Sequence, residues 1–257
     1  MCVAAFAWQA HPRWRLVLAG NRDEVHARPS AALAHWDDAP GIIAGRDLEA
    51  GGTWLGARED GRCALVTNVR DLSASQDGQS RGLLASDWLR GDADATSASA
   101  ALLTQALDYR PFNLLLADRS HCVWTSNLPR PRQQAVTPGV HSLSNAALDS
   151  PWPKALSLAA RLQAWLQDDG DDPEPLLRAL SDDRVFPDET LPDTGIGLER
   201  ERWLSAAFIR GRDYGTRAST VVLLGHDGEG CVVERRWGPE GIALGESRIV
   251  FGGTGAT

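Results

Sequence analysis

Residues 1–24 read "MCVAAFAWQAHPRWRLVLAGNRDE" and hold two apolar runs joined by a short polar segment with a proline. This pattern predicts a β-hairpin, with one strand in "CVAAFAWQ" and its partner in "WRLVLAGN". We predict that the second strand ends where the polar stretch "NRDEVHARPS" begins, so that this stretch is a loop. Loops that follow strands are places where a rigid scaffold presents reactive side chains.

Cys2 follows the initiator Met1 and opens the first predicted strand. A small second residue normally permits removal of Met1, and Cys2 would then carry a free α-amine beside its thiol. The amine titrates near ~8 and the thiol near ~8.5, so one residue would supply both a nucleophile and its base. A lone cysteine is more often a buried apolar residue, and this alternative stays open.

The composition is that of an ordinary globular protein, with 43% hydrophobic and 23% charged residues in a chain of 257. A formal net charge of -8 argues against nucleic acid or an anionic membrane surface as the main partner. The first apolar run is too short for a signal peptide, and no window approaches the roughly 20 apolar residues of a membrane span. We therefore predict a soluble, cytoplasmic protein without an integral membrane segment, in which residues 1–257 form a single domain.

In the rest of the sequence, predicted strands and predicted helices occur in groups and do not alternate one by one. Helical spacing appears at residues 81–90, 96–107 and 152–167 and in "DDPEPLLRALS". Strand-like runs include "GGTWLGARE", "RCALVTNVR", "FNLLLAD", "HCVWTSN", "GVHSLSN", "STVVLLGHDGEGCVVERRW" and "SRIVFGG". Residues 187–197 are predicted to be a loop. Strands open the chain, helices come in pairs and strands return, which predicts an α+β fold of stacked, mainly antiparallel sheets covered by helices.

Polar residues at predicted strand ends are the candidates for chemistry. Arg22 could fix an anionic substrate group, and Asp23 could hold the α-amine of Cys2. Asn68 and Asn145 could donate N–H groups to an oxyanion, each contributing roughly 3 to 4 kcal/mol to acyl transfer. Asparagine and aspartate at such positions also make turns and caps, and an arginine beside acids often forms only a surface ion pair. Both interpretations remain open from the residues alone.

Other residues could complete such a site. Asn21 and Glu24 belong to the same "NRDE" stretch, Trp54 could wall a pocket or fill the core, and Arg217 could bind a carboxylate or phosphate or cap a sheet edge. The other three cysteines lie in apolar runs without metal-ligand spacing, and the six histidines form no ligand cluster. We therefore expect no metal and no cofactor.

Six ordered blocks carry a family resemblance: "MC…LVLAGNRDE…RP", "GGTWLG", "TNVR", "FNLLLAD", "LSNAALDSPWPK" and "YGTRAST". Together they resemble the NRDE family, also called the TANGO2-like family, over residues 1–224. That family is in turn similar to the N-terminal nucleophile hydrolases, above all the choloylglycine hydrolase and penicillin V acylase group. The resemblance implies an αββα sandwich with a trimmed N-terminal cysteine on its first strand.

The resemblance also implies roles for individual residues. Cys2 matches the nucleophile, Asp23 the acid that orients it, Asn68 the oxyanion-hole residue and Asn145 a second asparagine at the reacting group. Arg217 is a weaker match to a late arginine of those enzymes. The acylases carry an arginine three residues before the aspartate, where this chain has glycine.

Two functions follow from the resemblance. The first is a cysteine amidohydrolase or acyl transferase that acts on a small amide or thioester. The alternative is a non-catalytic binder or carrier of a hydrophobic anionic ligand, namely an acyl-CoA, a lipid or haem.

Overall fold

The computed structural model describes residues 2–75, 77–168 and 170–252. Met1 lies outside the described residues, so its predicted removal stays a prediction. The strands are β1 (Cys2–Trp8), β2 (Trp14–Val25), β3 (Ser30–Trp36), β4 (Ala39–Asp47), β5 (Leu55–Arg58), β6 (Cys63–Asn68), β7 (Phe112–Ala117), β8 (Cys122–Ser126), β9 (Arg132–Ala135), β10 (Gly139–Leu143), β11 (Tyr214–Gly225), β12 (Gly230–Trp237) and β13 (Ala243–Phe251). The helices are α1 (Gly82–Arg90), α2 (Ala95–Leu102), α3 (Pro153–Gln167), α4 (Glu174–Leu180) and α5 (Leu198–Trp203).

The strands form two antiparallel sheets. The first has the spatial order β10-β1-β2-β11-β12-β13, and the second has the order β3-β4-β5-β6-β7-β8-β9. Apolar side chains from both sheets make a central core, which includes Phe6, Leu18, Leu65, Leu115 and Val222. Two further cores pack α3 and α4 on the outer face of the first sheet and α1 and α2 on the outer face of the second. The predicted αββα sandwich is confirmed.

Strand β1 is buried on both faces, which explains why its sequence is a continuous apolar run. Phe6 and Trp8 belong to the core between the sheets, whereas Ala5 and Ala7 belong to the core beneath α3 and α4. Side chains alternate between the faces of a strand with a period of two. Cys2 is in phase with Phe6 and Trp8 and therefore lies on the face toward the second sheet.

The structure corrects the predicted boundary of β2. The strand does not end at Asn21 but continues to Val25, so the "NRDE" residues are strand residues rather than loop residues. In the ladder with β11, Asn21 pairs with Ser219 and Asp23 with Thr216, with an irregularity between Thr216 and Ala218. Two neighbouring strands supply backbone partners for these polar residues, which keeps an otherwise loop-like sequence extended.

The other local predictions were mostly correct in type and inexact in extent. The helices at residues 81–90 and 152–167 are confirmed within one residue as α1 and α3. The predicted helix over residues 96–107 ends earlier, at Leu102, and a short 3₁₀ turn follows at Ala106–Asp108. The β3–β4 hairpin was not predicted. Among the described residues, no helix is long and apolar enough to cross a membrane.

Candidate active site

The strand conformation of "NRDE" divides its side chains between two faces of the first sheet. Leu16 and Leu18 of β2 face the second sheet, so Arg22 and Glu24 follow them on that face. Asn21 and Asp23 are in phase with the helix-facing residues of the same strand. The motif therefore serves two different layers of the sandwich.

Asn21 is held between the first sheet and its helices. Its side-chain amide donates to the carbonyl oxygens of Leu180 and Ala207, each at 2.8 Å, and its Oδ1 accepts from Ser219 Oγ at 2.6 Å. All of its side-chain groups are engaged within the core, and Asn21 does not line the cavity described below. The structure thus gives this predicted substrate-binding residue a place in the scaffold.

Asp23 is almost fully buried, with 2% of its surface exposed. Its Oδ1 accepts a hydrogen bond from Thr216 Oγ1 at 2.7 Å, and its backbone carbonyl accepts one from the Tyr214 hydroxyl at 3.2 Å. Burial raises the pKa of Asp23, while the positive charge of Lys154 and the Thr216 hydrogen bond oppose that rise. Asp23 and Cys2 both line the cavity described below.

Cys2 lies directly opposite Arg22 in the β1–β2 ladder. Residues opposite each other in an antiparallel pair have side chains on the same face, so Cys2 and Arg22 share one face of the first sheet. Gly20 lies two residues earlier on that face, opposite Ala4, and a β-carbon there would be 3.2 Å from the Ala4 β-carbon. The crowding leaves little room at position 20, and the arginine of this chain is instead the one opposite Cys2.

Arg22 is a buried and already paired cation, with 6% of its side chain exposed. Its Cζ lies 4.4 Å from the ring centroid of Trp54, and its Nη1 donates to Ser30 Oγ at 3.0 Å. Its Nη2 lies 3.5 Å from Asp47 Oδ2 and 3.9 Å from Glu24 Oε2. The stacked indole and the carboxylates hold Arg22 in place beside Cys2.

A cavity of about 250 Å³ opens in front of Cys2. Its lining is rich in charge: four arginines and three carboxylates surround it together with a few neutral side chains. The charged residues are Arg22, Arg28, Arg81, Arg110, Asp23, Glu24 and Asp47, and the others include Cys2, Thr53, Trp54, Val66, Asn68 and Ser80. Such a lining suits a small polar or anionic molecule better than a wholly apolar one.

The "TN" and "SN" pairs join the two sheets next to Cys2. Asn145 donates its side-chain amide to the backbone oxygen of Asn68 at 3.0 Å and to Asn68 Oδ1 at 2.9 Å. Thr67 Oγ1 donates to the Ser144 carbonyl at 2.6 Å, and Ser144 Oγ donates to the Cys2 carbonyl at 2.8 Å. The side chain of Asn68 lines the cavity, whereas Asn145 is completely buried behind it. The two predicted asparagines are therefore brought together, one at the cavity and one as its support.

Arg217 lies away from this cavity. It occupies the irregularity in the β2–β11 ladder between Thr216 and Ala218, and its Nη1 donates to the carbonyls of Val25 and Arg28 at 2.9 and 3.0 Å. It lines a smaller cavity of about 90 Å³ on the other side of Arg22 and Trp54. Burial lowers the pKa of Arg217, which agrees with a side chain committed to backbone carbonyls.

Lys154 is a residue that the sequence reasoning missed. It is the only lysine of the chain, yet just 2% of its surface is exposed. Its Nζ donates to the Leu204 carbonyl at 2.9 Å, and burial lowers its pKa to about 8. Its charge interacts with Asp23 and Cys2. The available signal was the single lysine among arginines, because lysine, unlike arginine, can lose its proton at a buried site.

A group of three potential cation ligands lies elsewhere in the described part of the chain. Ligand atoms of Asp94, Asp118 and His121 lie within 4.8 Å of one another. Asp118 already accepts backbone N–H bonds from Ala95, Ser120 and His121, and Asp94 caps α2. These carboxylates have structural partners, so the cluster is explained without an ion.

The family model for transport and Golgi organisation 2 (TANGO2) matches residues 1–239. The chain belongs to this family. It is 32% identical to the mouse transport and Golgi organization 2 homolog over 256 residues, covering 91% of this chain and 92% of that protein. It is 31% identical to the human transport and Golgi organization protein 2 homolog over 275 residues, covering 96% and 97%.

Solved structures place this TANGO2 family chain among the N-terminal nucleophile hydrolase folds. A C2A mutant of a conjugated bile acid hydrolase from Clostridium perfringens matches with a TM-score of 0.53 and 8% identity, over 97% of this chain and 92% of that one. An N-acylethanolamine-hydrolyzing acid amidase ortholog from Caenorhabditis elegans matches with a TM-score of 0.50 and 12% identity, over 86% and 92%. At such identities the similarity shows the fold alone.

Proposed function

We propose that this chain is a cysteine amidohydrolase or acyl transferase that cleaves a small amide or thioester, with Cys2 as the nucleophile. The observation that carries the proposal is the position of Cys2. It is the partly exposed cysteine at the charged cavity, whereas the other three cysteines are buried. The fold of the C2A bile acid hydrolase and of the amidase ortholog, both named for hydrolytic activity, agrees with this role.

The proposed reaction uses groups that surround Cys2. Removal of Met1 frees the α-amine of Cys2, which accepts the thiol proton as the sulfur attacks the substrate carbonyl carbon. Asn68 donates to the oxyanion of the tetrahedral intermediate. The resulting ammonium group returns the proton to the leaving amine or thiol, and a thioester to Cys2 remains. Water, or an acceptor amine, then attacks this thioester and regenerates the thiol.

Asp23 and Asn145 act by positioning in this proposal. The buried carboxyl group of Asp23, held by Thr216, orients the α-amine of Cys2. Asn145 occupies the oxygen of the Asn68 side chain and so leaves the amide nitrogen of Asn68 for the substrate. Arg22 supplies positive charge beside the sulfur, and Trp54 and Glu24 complete the wall.

The test is an intact-mass spectrum of the purified protein before and after incubation with a long-chain acyl-CoA and, separately, with a short-chain acyl thioester. We expect loss of Met1 and an acyl adduct that disappears in Cys2→Ala. Cys231→Ala is the matched control, because it removes a buried thiol and should leave the adduct unchanged. A retained Met1, or an adduct that persists in Cys2→Ala, would refute the nucleophile.

The alternative function is a non-catalytic carrier of a hydrophobic anionic ligand such as an acyl-CoA, a lipid or haem. One observation favours the hydrophobic part of such a ligand: a crevice of about 260 Å³ beside α1 and α2 is lined by Leu84, Trp88, Leu102 and Leu114, among others, together with Asp87 and Asp92. Tryptophan fluorescence titration with an acyl-CoA separates the two functions. A carrier keeps its affinity in Cys2→Ala and forms no adduct. A cytoplasmic location and a single domain over residues 1–257 are part of either proposal.

A further inference from the structure

The four arginines that line the cavity differ in whether a carboxylate of the protein is paired with them. Asp47 lies 2.7 Å from Arg28 Nε and 3.5 Å from Arg22 Nη2, and Glu49 lies 2.9 Å from Arg28 Nη1. Arg22 and Arg28 therefore have carboxylate partners within the protein. The remaining two arginines of the lining differ from them.

Arg81 and Arg110 form no ion pair with any carboxylate in the described part of the chain. The Nη1 of Arg81 donates instead to the Pro111 carbonyl at 3.4 Å. Arg81 is partly buried, and burial lowers its pKa; the negative charge of Glu24 opposes that lowering, and the positive charge of Arg110 adds to it. Both arginines line the cavity, and an anionic ligand bound there would gain charge-assisted hydrogen bonds from them.

The backbone holds both arginines in fixed positions. Gln79 and Tyr109 form a parallel β-bridge, in which Arg110 N donates to the Gln79 carbonyl at 3.2 Å. Thr53 N donates to the Gly82 carbonyl at 3.1 Å and anchors the first turn of α1. Because the backbone is already fixed, binding an anion here orders only the two side chains, which favours a specific binding subsite.

The packing of that frame explains the second glycine of "GGTWLG", Gly52. A β-carbon on Gly52 would lie 2.4 Å from the carbonyl carbon of Gly82, so only glycine permits α1 to begin so close to this loop. The first turn of α1 contains no acidic residue, and the partial positive charge of this helix end adds to that of Arg81. The same wall of the cavity thus carries positive charge from side chains and backbone.

We propose that Arg81 and Arg110 form a subsite for the carboxylate or phosphate group of an anionic acyl substrate, beside Cys2. This inference rests on the proposed function of Cys2. Both arginines line the same cavity as Cys2. The subsite replaces the sequence-based expectation that Arg22 and Arg217 grip the anion, because those two side chains are committed to protein partners.

The experiment compares two alkylating reagents of similar size, anionic iodoacetate and neutral iodoacetamide. Each forms a carbon–sulfur bond with a thiolate and releases iodide, so neither needs acyl transfer. The rate of modification of Cys2 is followed by peptide mass spectrometry, which separates it from the three buried cysteines. Free cysteine in solution supplies the reference ratio of the two rates.

We expect the iodoacetate-to-iodoacetamide ratio at Cys2 to exceed that of free cysteine by about tenfold and to fall with added salt. Arg81→Gln and Arg110→Gln should each lower the ratio by about threefold or more, and Arg81→Lys should restore much of it because the charge returns. Arg130→Gln, which removes an exposed arginine outside the cavity, should leave it unchanged. Whichever of acetate and inorganic phosphate protects Cys2 at lower concentration identifies the preferred group.

A ratio equal to that of free cysteine, or one unchanged in both glutamine variants, would overturn the subsite. This result is separable from failure of the proposed function. If Cys2 prefers iodoacetate but forms no acyl adduct, the anion subsite exists and the proposed acyl transfer to Cys2 does not. If Cys2 forms the acyl adduct but shows no preference for iodoacetate, acyl transfer takes place and the anion subsite is absent.

Discussion

Asn145 donates one side-chain amide to both oxygens of Asn68, at 3.0 Å to the backbone carbonyl and 2.9 Å to Oδ1. Asn68 ends β6 of the second sheet, whereas Asn145 follows β10 of the first. This contact fixes the orientation of the side chain proposed to bind the oxyanion across the boundary between the two sheets. Its removal should therefore affect chemistry and stability together.

Asn145→Ala should slow acylation of Cys2 by at least about tenfold, because the Asn68 amide loses its orientation. It should also cost about 1 to 3 kcal/mol in the free energy of unfolding, since buried oxygens lose their donor. Acyl-adduct kinetics and urea unfolding measure the two effects. Asn21→Ala is the matched control, because Asn21 is also buried but bonds to the Leu180 and Ala207 carbonyls on the other face. A normal acylation rate in Asn145→Ala would contradict the positioning role.

Lys154 should set the acid limb of the pH–rate profile through its effect on Asp23. The Lys154 charge lowers the pKa of Asp23, so Lys154→Met should raise that pKa further and move the acid limb to higher pH. Lys154→Arg keeps the charge and should leave the limb close to that of the wild type. The measurement is the rate of acyl-adduct formation against pH. An identical limb in Lys154→Met would show that Asp23 does not control the reaction.

Glu234 should make the protein less stable as the pH rises through the weakly acidic range. Burial raises the pKa of this side chain from 4.5 to about 6, so the unfolded chain releases its proton at lower pH than the folded protein does. The free energy of unfolding should therefore fall by about 2 kcal/mol between the lower and the higher pKa. Glu234→Gln should abolish this part of the fall, because the amide does not titrate.

Urea unfolding below pH 4.5 and at neutral pH checks this prediction. Leu33 N donates a hydrogen bond to Glu234 Oε1 at 2.9 Å, and the side-chain amide oxygen of the Glu234→Gln variant can still accept it, so the fold should be retained. Glu199→Gln on the exposed surface is the control. Equal pH dependence in wild type and Glu234→Gln would show that Glu234 is not the responsible group.

Gly45→Ala should disturb the wall formed by Trp54 and Arg22. A β-carbon at position 45 would lie 2.4 Å from Trp54 Cη2, so the indole must move away from its place under Arg22. We expect a loss of about 1 to 3 kcal/mol in unfolding free energy together with a changed tryptophan fluorescence. Gly91→Ala is the control, since its β-carbon would make an ordinary 3.4 Å contact with the Asp87 carbonyl. An unperturbed Gly45→Ala protein would mean that the wall is not tightly packed.

Much of the fold could be predicted from local pattern. The apolar runs around Phe6 and Leu18 and the helical spacing around Leu158 have periods of two and 3.6, which follow from backbone geometry alone. The β3–β4 hairpin escaped prediction because its buried positions are few and interrupted by irregular pairing. The extension of β2 to Val25 escaped it because polar residues there are stabilised by neighbouring strands distant in sequence.

The sequence by itself determined the sandwich class, the family and the candidates Cys2, Asp23, Asn68 and Asn145, because these depend on residue type, order and periodicity. Only the tertiary structure decided that Asn21 faces the helices while Arg22 faces the cavity, since strand register assigns each side chain to a face. It also decided which arginines have carboxylate partners. Charge pairing depends on distances between segments far apart in the chain, and no local pattern encodes those distances.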